Sequence, residues 1–254
     1  MNIVVIVKLV PDLVEEIEIS ESGNSLDMEW LRLIINEVDD HALEQAILIK
    51  EETGANVTVI SPELEGVDDI LFTATARGAD RIIKLAGDFE ENSNCHALAR
   101  TLSPVVRDLQ PDLVLTGVQA NDDLDGSVGP LLAEYLGIPY VGYVAGMKIE
   151  NGKSVVRKEY PGGLVAEMEA TLPALIGIQA AESPPRYVAI SKVRQAMKTA
   201  ELEEVEIPVL ETSGGPVVER MYQTESGERA TMIDGDEEEV AARLIEIFKE
   251  LGVL

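Results

Sequence analysis

The run Gly117-Val118-Gln119-Ala120-Asn121-Asp122-Asp123-Leu124-Asp125-Gly126-Ser127-Val128-Gly129-Pro130 gathers residue types that suit a phosphate or a sugar hydroxyl. Gly126 and Gly129 let a ligand approach the main chain, and Ser127 adds a hydroxyl donor. The run follows the apolar stretch Asp112-Leu113-Val114-Leu115-Thr116 and leads into a helix expected over Leu131 to Leu136. In an open parallel sheet ligands settle at the carboxyl ends of strands, and a helix N-terminus offers unpaired N–H groups to an anion. The run is neither a P-loop, lacking the Gly-Lys-Ser/Thr ending, nor the dinucleotide fingerprint G-x-G-x-x-G. Two readings stand: a phosphate-binding loop, or a long strand-to-helix connection.

Asp122, Asp123 and Asp125 raise a second chemistry, a divalent cation. Their spacing resembles the start of a calcium loop, but the later Gly and bidentate Glu of such a loop are missing. They read better as carboxylates that pair with backbone amides or ribose hydroxyls, and no metal site is expected. His41 and His96 stand far apart, and no G-x-S-x-G elbow, H-E-x-x-H or C-x-x-C is present. No stand-alone hydrolytic site is expected.

The elements that must position the loop alternate between strand and helix. Ile3 to Val7, Val57 to Ile60, Arg81 to Leu85 and Asp112 to Thr116 are short apolar runs of the kind covered on both faces. Between them Leu43, Ala46, Ile47 and Lys50 keep helical spacing, with Asp39 or Asp40 as the expected cap; a second helix runs from Val67 to Arg77 and stops at Gly78. A third is marked by Leu98, Leu102, Val105, Val106 and Leu109, with Pro111 ending it. This alternation predicts an α/β fold with a doubly wound, mainly parallel sheet. Past Ile138 the rhythm changes: Tyr140 to Val144, Met147 to Ile149, Ser154 to Glu159 and Val165 to Leu172 read as short strands joined by turns such as Asn151-Gly152. Leu175 to Ile178 returns to the main sheet, and residues 182 to 235 read as irregular. The last helix has one apolar stripe, Val240, Leu244, Ile247, Phe248 and Leu251, with Asp234 or Asp236 at its start. It either folds back on its own domain or wraps a partner. The expected division is residues 1–181 as a nucleotide-binding domain, with a hairpin region at 140–172, and 182–254 as a partner-recognition segment and arm.

Composition narrows the function. With 20 Lys and Arg against 47 Asp and Glu, the net charge is −27, which repels nucleic-acid backbones and anionic membranes. The single Cys95 excludes an intramolecular disulfide and a Cys-rich metal site. Met1-Asn2-Ile3 opens without a signal-peptide pattern, and no apolar run approaches the ~20 residues of a membrane span, so the expected setting is cytoplasmic.

Several stretches, in order, resemble electron transfer flavoprotein beta subunits. These are Asn2 to Asp12; Ile35-Asn36-Glu37-Val38-Asp39-Asp40-His41-Ala42-Leu43-Glu44; Arg77-Gly78-Ala79-Asp80-Arg81; the loop Asp112 to Pro130; Val155 to Leu164 with Leu172-Pro173-Ala174-Leu175; Pro185-Arg186-Tyr187 with Ile190 and Lys198; and the closing Leu251-Gly252-Val253-Leu254. The sequence departs from the family pattern at Glu37 and Pro62, where proline and a Met-Gly or Cys-Gly pair are usual, and at Val128, where AMP-binding members carry threonine.

The resemblance implies an adenine-nucleotide alpha-hydrolase-like topology and a heterodimer whose larger alpha subunit holds a redox-active FAD. It implies AMP in this subunit, with contacts on Ile6; Asn36, Glu37, Val38 and Asp39; Ser61 and Pro62; and Gly117, Gln119, Ala120, Asp122, Asp125, Gly126, Ser127 and Val128. The implied role is an electron carrier between dehydrogenases, such as acyl-CoA dehydrogenases, and a quinone-linked oxidoreductase. A bifurcating subset holds a second FAD in place of AMP; Asp39 and Val128-Gly129-Pro130 resemble it, whereas Ser127 and the stretch Ser61 to Gly66 do not. Arg186, Tyr187 and Ile190 occupy the partner-docking segment, whose Arg186 to Lys198 stretch has four basic residues and no acidic one. The competing readings are a universal-stress-type nucleotide sensor for the whole chain, and, for that segment, a surface helix with Val188, Ile190 and Val193 packed inward.

Overall fold

A computed structural model describes all residues except 90–93, 124, 225–229, 231 and 254, so Leu124 of the loop and the terminal Leu254 lie outside the described residues. In chain order the elements are β1 (Asn2–Ile6), β2 (Leu9–Pro11), β3 (Leu33–Ile35), α1 (Glu37–Thr53), β4 (Asn56–Pro62), α2 (Val67–Arg77), β5 (Arg81–Ala86), α3 (Cys95–Asp108), β6 (Leu113–Gly117), α4 (Val128–Leu136), β7 (Tyr140–Glu150), β8 (Lys153–Tyr160), β9 (Leu164–Thr171), β10 (Ala174–Ile178), α5 (Ile190–Thr199), β11 (Leu202–Glu206) and α6 (Glu237–Glu250). One nine-stranded sheet runs β11-β5-β4-β1-β6-β10-β7-β8-β9, and β2 pairs with β3 apart from it. The strands from β11 to β7 are parallel neighbours, while β8 and β9 are antiparallel, so the fold is the expected mainly parallel α/β sheet.

The strands are apolar throughout because both faces are covered. In β1 the alternation of side chains sends Ile3 and Val5 to a core shared with Leu43, Ile47 and Leu71, and Val4 and Ile6 to a second core with Leu98, Leu102 and Leu132. Each of these fully buried side chains is worth about 1.5–3 kcal/mol over its exposed state, which is what fixes β1 and β6 side by side and lines up their carboxyl ends.

The structure corrects three expectations. Neither Asp39 nor Asp40 caps α1: Asn36 is the N-cap residue, without a side-chain cap bond, and Asp39 is buried in the first turn. The segments Tyr140 to Val144 and Met147 to Ile149 are one strand, β7, whose pairing with β8 shifts register between Val144 and Met147. The stretch 182–235 is not wholly irregular, since it holds α5 and β11. β11 reads Leu-Glu-Glu-Val-Glu and survives as an edge strand because β5 supplies cations: Arg81 is bound to Glu203 through two hydrogen bonds of 2.8 and 2.9 Å, and Lys84 lies 2.8 Å from Glu204.

The terminal helix α6 is capped by Asp236, whose carboxylate accepts from Glu238 and Glu239 N–H groups while the Glu239 side chain returns to the Asp236 N–H. None of its residues is buried; Leu244, Ile245 and Phe248 are exposed. Before it the arm runs over the domain, its residues 211–214 bonded to Asn94 and Arg100, and Met221 and Gln223 bonded to the excursion between β2 and β3. Among the described residues no helix is long and apolar enough to cross a membrane.

Candidate functional site

The carboxyl ends of β1 and β6, the first turn of α1 and the start of α4 enclose a cleft lined by Ile6, Lys8, Asn36, Asp39, Leu98, Thr116, Gly117, Val118, Gln119, Ala120, Asp123, Gly126, Val128 and Gly129. Asn36 and Asp39 reach it because α1 begins where β3 ends. Glu37 is the first residue of that helix, a position where proline fits and where an acidic side chain meets the positive end of the helix dipole equally well. Asn36 Nδ2 donates to the Gln119 carbonyl at 2.9 Å, tying α1 to the loop after β6. The Asp39 carboxylate accepts from the Gly117 N–H at 2.8 Å and from the Lys8 N–H at 3.0 Å, bridging both strand ends. Burial pushes this carboxyl up to about 7, and the bonds from Asn36 and Gly117 and the charge of Lys8 only partly offset it.

Glycine is required where these pieces meet. A Cβ at Gly117 would stand 2.3 Å from Asp39 Oδ1 and 2.6 Å from Val38 Cγ2, and one at Gly126, where φ is +60°, 2.5 Å from the Val118 carbonyl oxygen. At Gly129 it would meet the Tyr140 ring at 2.9 Å and Thr116 Oγ1 at 3.2 Å. The Thr116 hydroxyl therefore lies under the first turn of α4. Thr116 is 3% exposed, and its Oγ1 has no hydrogen-bond partner among the described residues. A buried hydroxyl is ordinarily satisfied, and Thr116 lines the cleft, where a water or a ligand atom can supply the partner. Val128 and Gly129 stand in the first turn of α4 and line the same cleft, and the N–H groups of a helix's first turn lack intrahelical partners.

The loop carboxylates bond to the chain around them, and one ligand atom from each of Cys95, Asp123 and Asp125 lies within 4.8 Å of the others. Asp123 Oδ1 accepts from the Ala120 N–H at 3.1 Å, and Asp125 Oδ1 accepts from the Ser127 N–H and hydroxyl at 3.1 and 3.0 Å and from the Cys95 thiol at 2.9 Å. Burial alone would push the Asp125 carboxyl up, but the bonds from Cys95 and Ser127 outweigh it and hold it below its ordinary value. Burial, with the Asp125 bond, raises the Cys95 thiol to about 12, so it is protonated at neutral pH. Asp122 turns to Lys8, 2.6 Å from Nζ; burial pulls the Lys8 ammonium down, but Asp122 and Asp123 more than restore it.

A family model described as the electron transfer flavoprotein domain matches residues 28–210. The chain is 37% identical to the electron transfer flavoprotein subunit beta of Methylophilus methylotrophus, over 98% of each chain. It is 33% and 31% identical to the subunits of that name from Clostridium acetobutylicum and Bacillus subtilis, again over 98% of each. The chain belongs to the electron transfer flavoprotein family.

Of the contacts that membership in the electron transfer flavoprotein family suggested, Ile6, Asn36, Asp39, Gly117, Gln119, Ala120, Gly126 and Val128 line the cleft. Val38 packs beside Gly117, Glu37 is exposed, and Ser61 and Pro62 are buried at the carboxyl end of β4. Asp122 borders the cleft through Lys8, and Asp125 and Ser127 bond to each other outside the lining. Ser127, expected to offer its hydroxyl to a phosphate, has that hydroxyl and its N–H turned to Asp125 two residues earlier. Lys8 and Thr116 line the cleft and were not named as contacts from the sequence: Lys8 follows β1 and Thr116 lies in β6 just before its last residue, within stretches read only as strand or as family-like. In the docking segment Tyr187 and Ile190 are 86% and 64% exposed, Val188 and Val193 are half-buried, and Ala196 is buried. Arg186 points the other way, into ion pairs with Glu44 and Glu51.

Proposed function

We propose that this chain is the small subunit of a heterodimeric electron transfer flavoprotein, holding AMP in the cleft between β1, β6, α1 and α4. The open Thr116 hydroxyl beneath the first turn of α4 is the observation that supports a bound nucleotide most directly. Around it, Gly117, Gly126 and Gly129 keep the cleft clear, the Val128 and Gly129 amides suit a phosphate, and Asn36 and Asp39 suit an adenine or ribose edge. AMP supplies no redox chemistry; it fills and braces the junction of the two strand ends. FAD in the alpha subunit supplies the redox centre, exchanging electrons with dehydrogenases such as acyl-CoA dehydrogenases and with a quinone-linked oxidoreductase. This chain's own tasks are to bind that subunit and to present the exposed Tyr187 and Ile190 to a dehydrogenase, in a cytoplasmic setting.

Residues 1–181 form the nucleotide-binding unit in this reading, and the arm from 182 onward serves partners. Acid extraction of the co-expressed heterodimer, followed by chromatography of the released nucleotides, should give about one FAD and one AMP. Two FAD and no AMP would establish a bifurcating protein in place of the carrier, and a colourless homodimer binding ATP would favour a nucleotide sensor.

A further inference from the structure

The segment between β10 and α5 is held along one helix by side chains at successive turns. The Ala181 N–H donates to His41 Nδ1 at 3.2 Å, and the Glu182 N–H donates to Gln45 Oε1 at 3.1 Å. The Arg186 N–H donates to Glu44 Oε2 at 3.0 Å. The Arg186 guanidinium then donates through Nε to Glu44 Oε1 at 2.8 Å, with Nη2 also 2.8 Å from that oxygen, and donates through Nη1 and Nη2 to the Glu51 carboxylate. All four partners lie on α1. The Glu44 side chain is only 2% exposed, so this is a carboxylate taken out of water for one cation and one backbone amide.

Such a pair is a poor source of stability, because desolvation cancels most of the attraction and an apolar pair of similar volume does as well. What a fork-shaped guanidinium on a fixed carboxylate supplies is geometry. Here the geometry is that of the docking helix. Tyr187 follows Arg186 directly, and Ile190 starts α5 one turn later. α5 packs against α2, and Ala196 is its one buried residue. With Pro184-Pro185 stiffening the approach, the start of α5 is held by Arg186.

We propose that Glu44 and Arg186 are positioning residues for docking: they touch no partner, and they fix where Tyr187 and Ile190 stand. This rests on the reading of α5 as the dehydrogenase-docking helix. Freed from Glu44, the start of α5 samples many placements, and the partner must select the competent one, so apparent affinity falls by the competent fraction while the bound complex transfers electrons as before.

The test uses the intact heterodimer and an acyl-CoA dehydrogenase that reduces the wild-type flavin. Glu44→Gln combined with Arg186→Met removes both charges together, so no buried charge is left unpaired; Arg186→Lys keeps the charge and loses the fork; Ile190→Ala controls for docking itself. The double variant should raise the KM for the dehydrogenase about tenfold with kcat within twofold. It should also speed hydrogen exchange in residues 181–192 while α1 and nucleotide content stay unchanged, with Arg186→Lys falling between. If Ile190→Ala raises KM and the double variant does not, the positioning role is wrong although docking stands. If Ile190→Ala also leaves KM unchanged, the docking reading fails and the positioning role falls with it. A double variant whose kcat drops while KM holds would overturn the proposal as well.

Discussion

Thr116→Val replaces one buried hydroxyl by a methyl group of nearly equal size, and its effect should change sign with the nucleotide. In the stripped protein the Thr116 hydroxyl is buried with no partner among the described residues, a condition that costs about 1–3 kcal/mol. Valine removes that cost, so the stripped variant should be more stable by about 1–2 kcal/mol, a rise of about 2–8 °C in Tm for a domain of this size. In the proposed AMP complex valine forfeits a hydrogen bond to the ligand worth about 0.5–1.5 kcal/mol; added to the gain of the stripped state, this weakens the Kd by about 1.5–3.5 kcal/mol, roughly 10- to 400-fold. Thermal unfolding of the stripped protein measures the first effect, and calorimetric titration with AMP measures the second. A stripped variant less stable than wild type would show that the hydroxyl has a partner within the chain. An unchanged AMP affinity would remove Thr116 from the site.

Two further outcomes follow from the same geometry. Asp39, with its carboxyl raised to about 7, binds a proton in the folded state between about pH 4 and 7 that the unfolded chain does not bind. Its contribution to wild-type stability is therefore fully present near pH 4 and is lost as pH rises through 7. Asp39→Asn loses one acceptor at every pH but does not titrate, so variant-minus-wild-type stability in urea should move in the variant's favour between about pH 4 and 7, by at most about 4 kcal/mol; a difference flat with pH would show that Asp39 ionises normally. Deleting residues 234–254 should abolish heterodimer formation on size-exclusion chromatography while far-UV dichroism and cooperative unfolding persist, since no residue of α6 is buried against the domain; assembly at full strength would place that helix outside the interface.

The alternation of β1, β4, β5 and β6 with α1 to α4 was legible because strands buried on both faces must be apolar runs and the helices between them must carry one apolar stripe, whereas the short β2 and β3 pair was not read from the sequence. The cleft was legible for a related reason: glycines after a buried strand mark where backbone must come close. What escaped was set by partners distant in sequence. β11 is mostly glutamate and became a strand only through Arg81 and Lys84 on its neighbour. α5 buries a single alanine, too little to show as a stripe. Arg186 reads as a free cation in a basic stretch, and its inward turn depends on Glu44, 142 residues earlier. The role of Ser127 is different, since Asp125 lies two residues before it, the spacing of a local Asx-type turn that takes up both serine donors.

The open stripe of α6 also bears on the interval between synthesis and assembly. The capping box stabilises the start of this helix, and the domain leaves its apolar side chains uncovered, so a subunit without its partner displays Leu244, Ile245 and Phe248. Patches of that kind drive self-association. The chain's −27 charge opposes it, acting as a colloidal shield among copies waiting to assemble. At physiological ionic strength that shield reaches only about 8 Å, which leaves encounters frequent but discourages like surfaces from settling together. The acidity thus opposes association between unassembled subunits, and that opposition weakens as salt rises or as the carboxylates protonate.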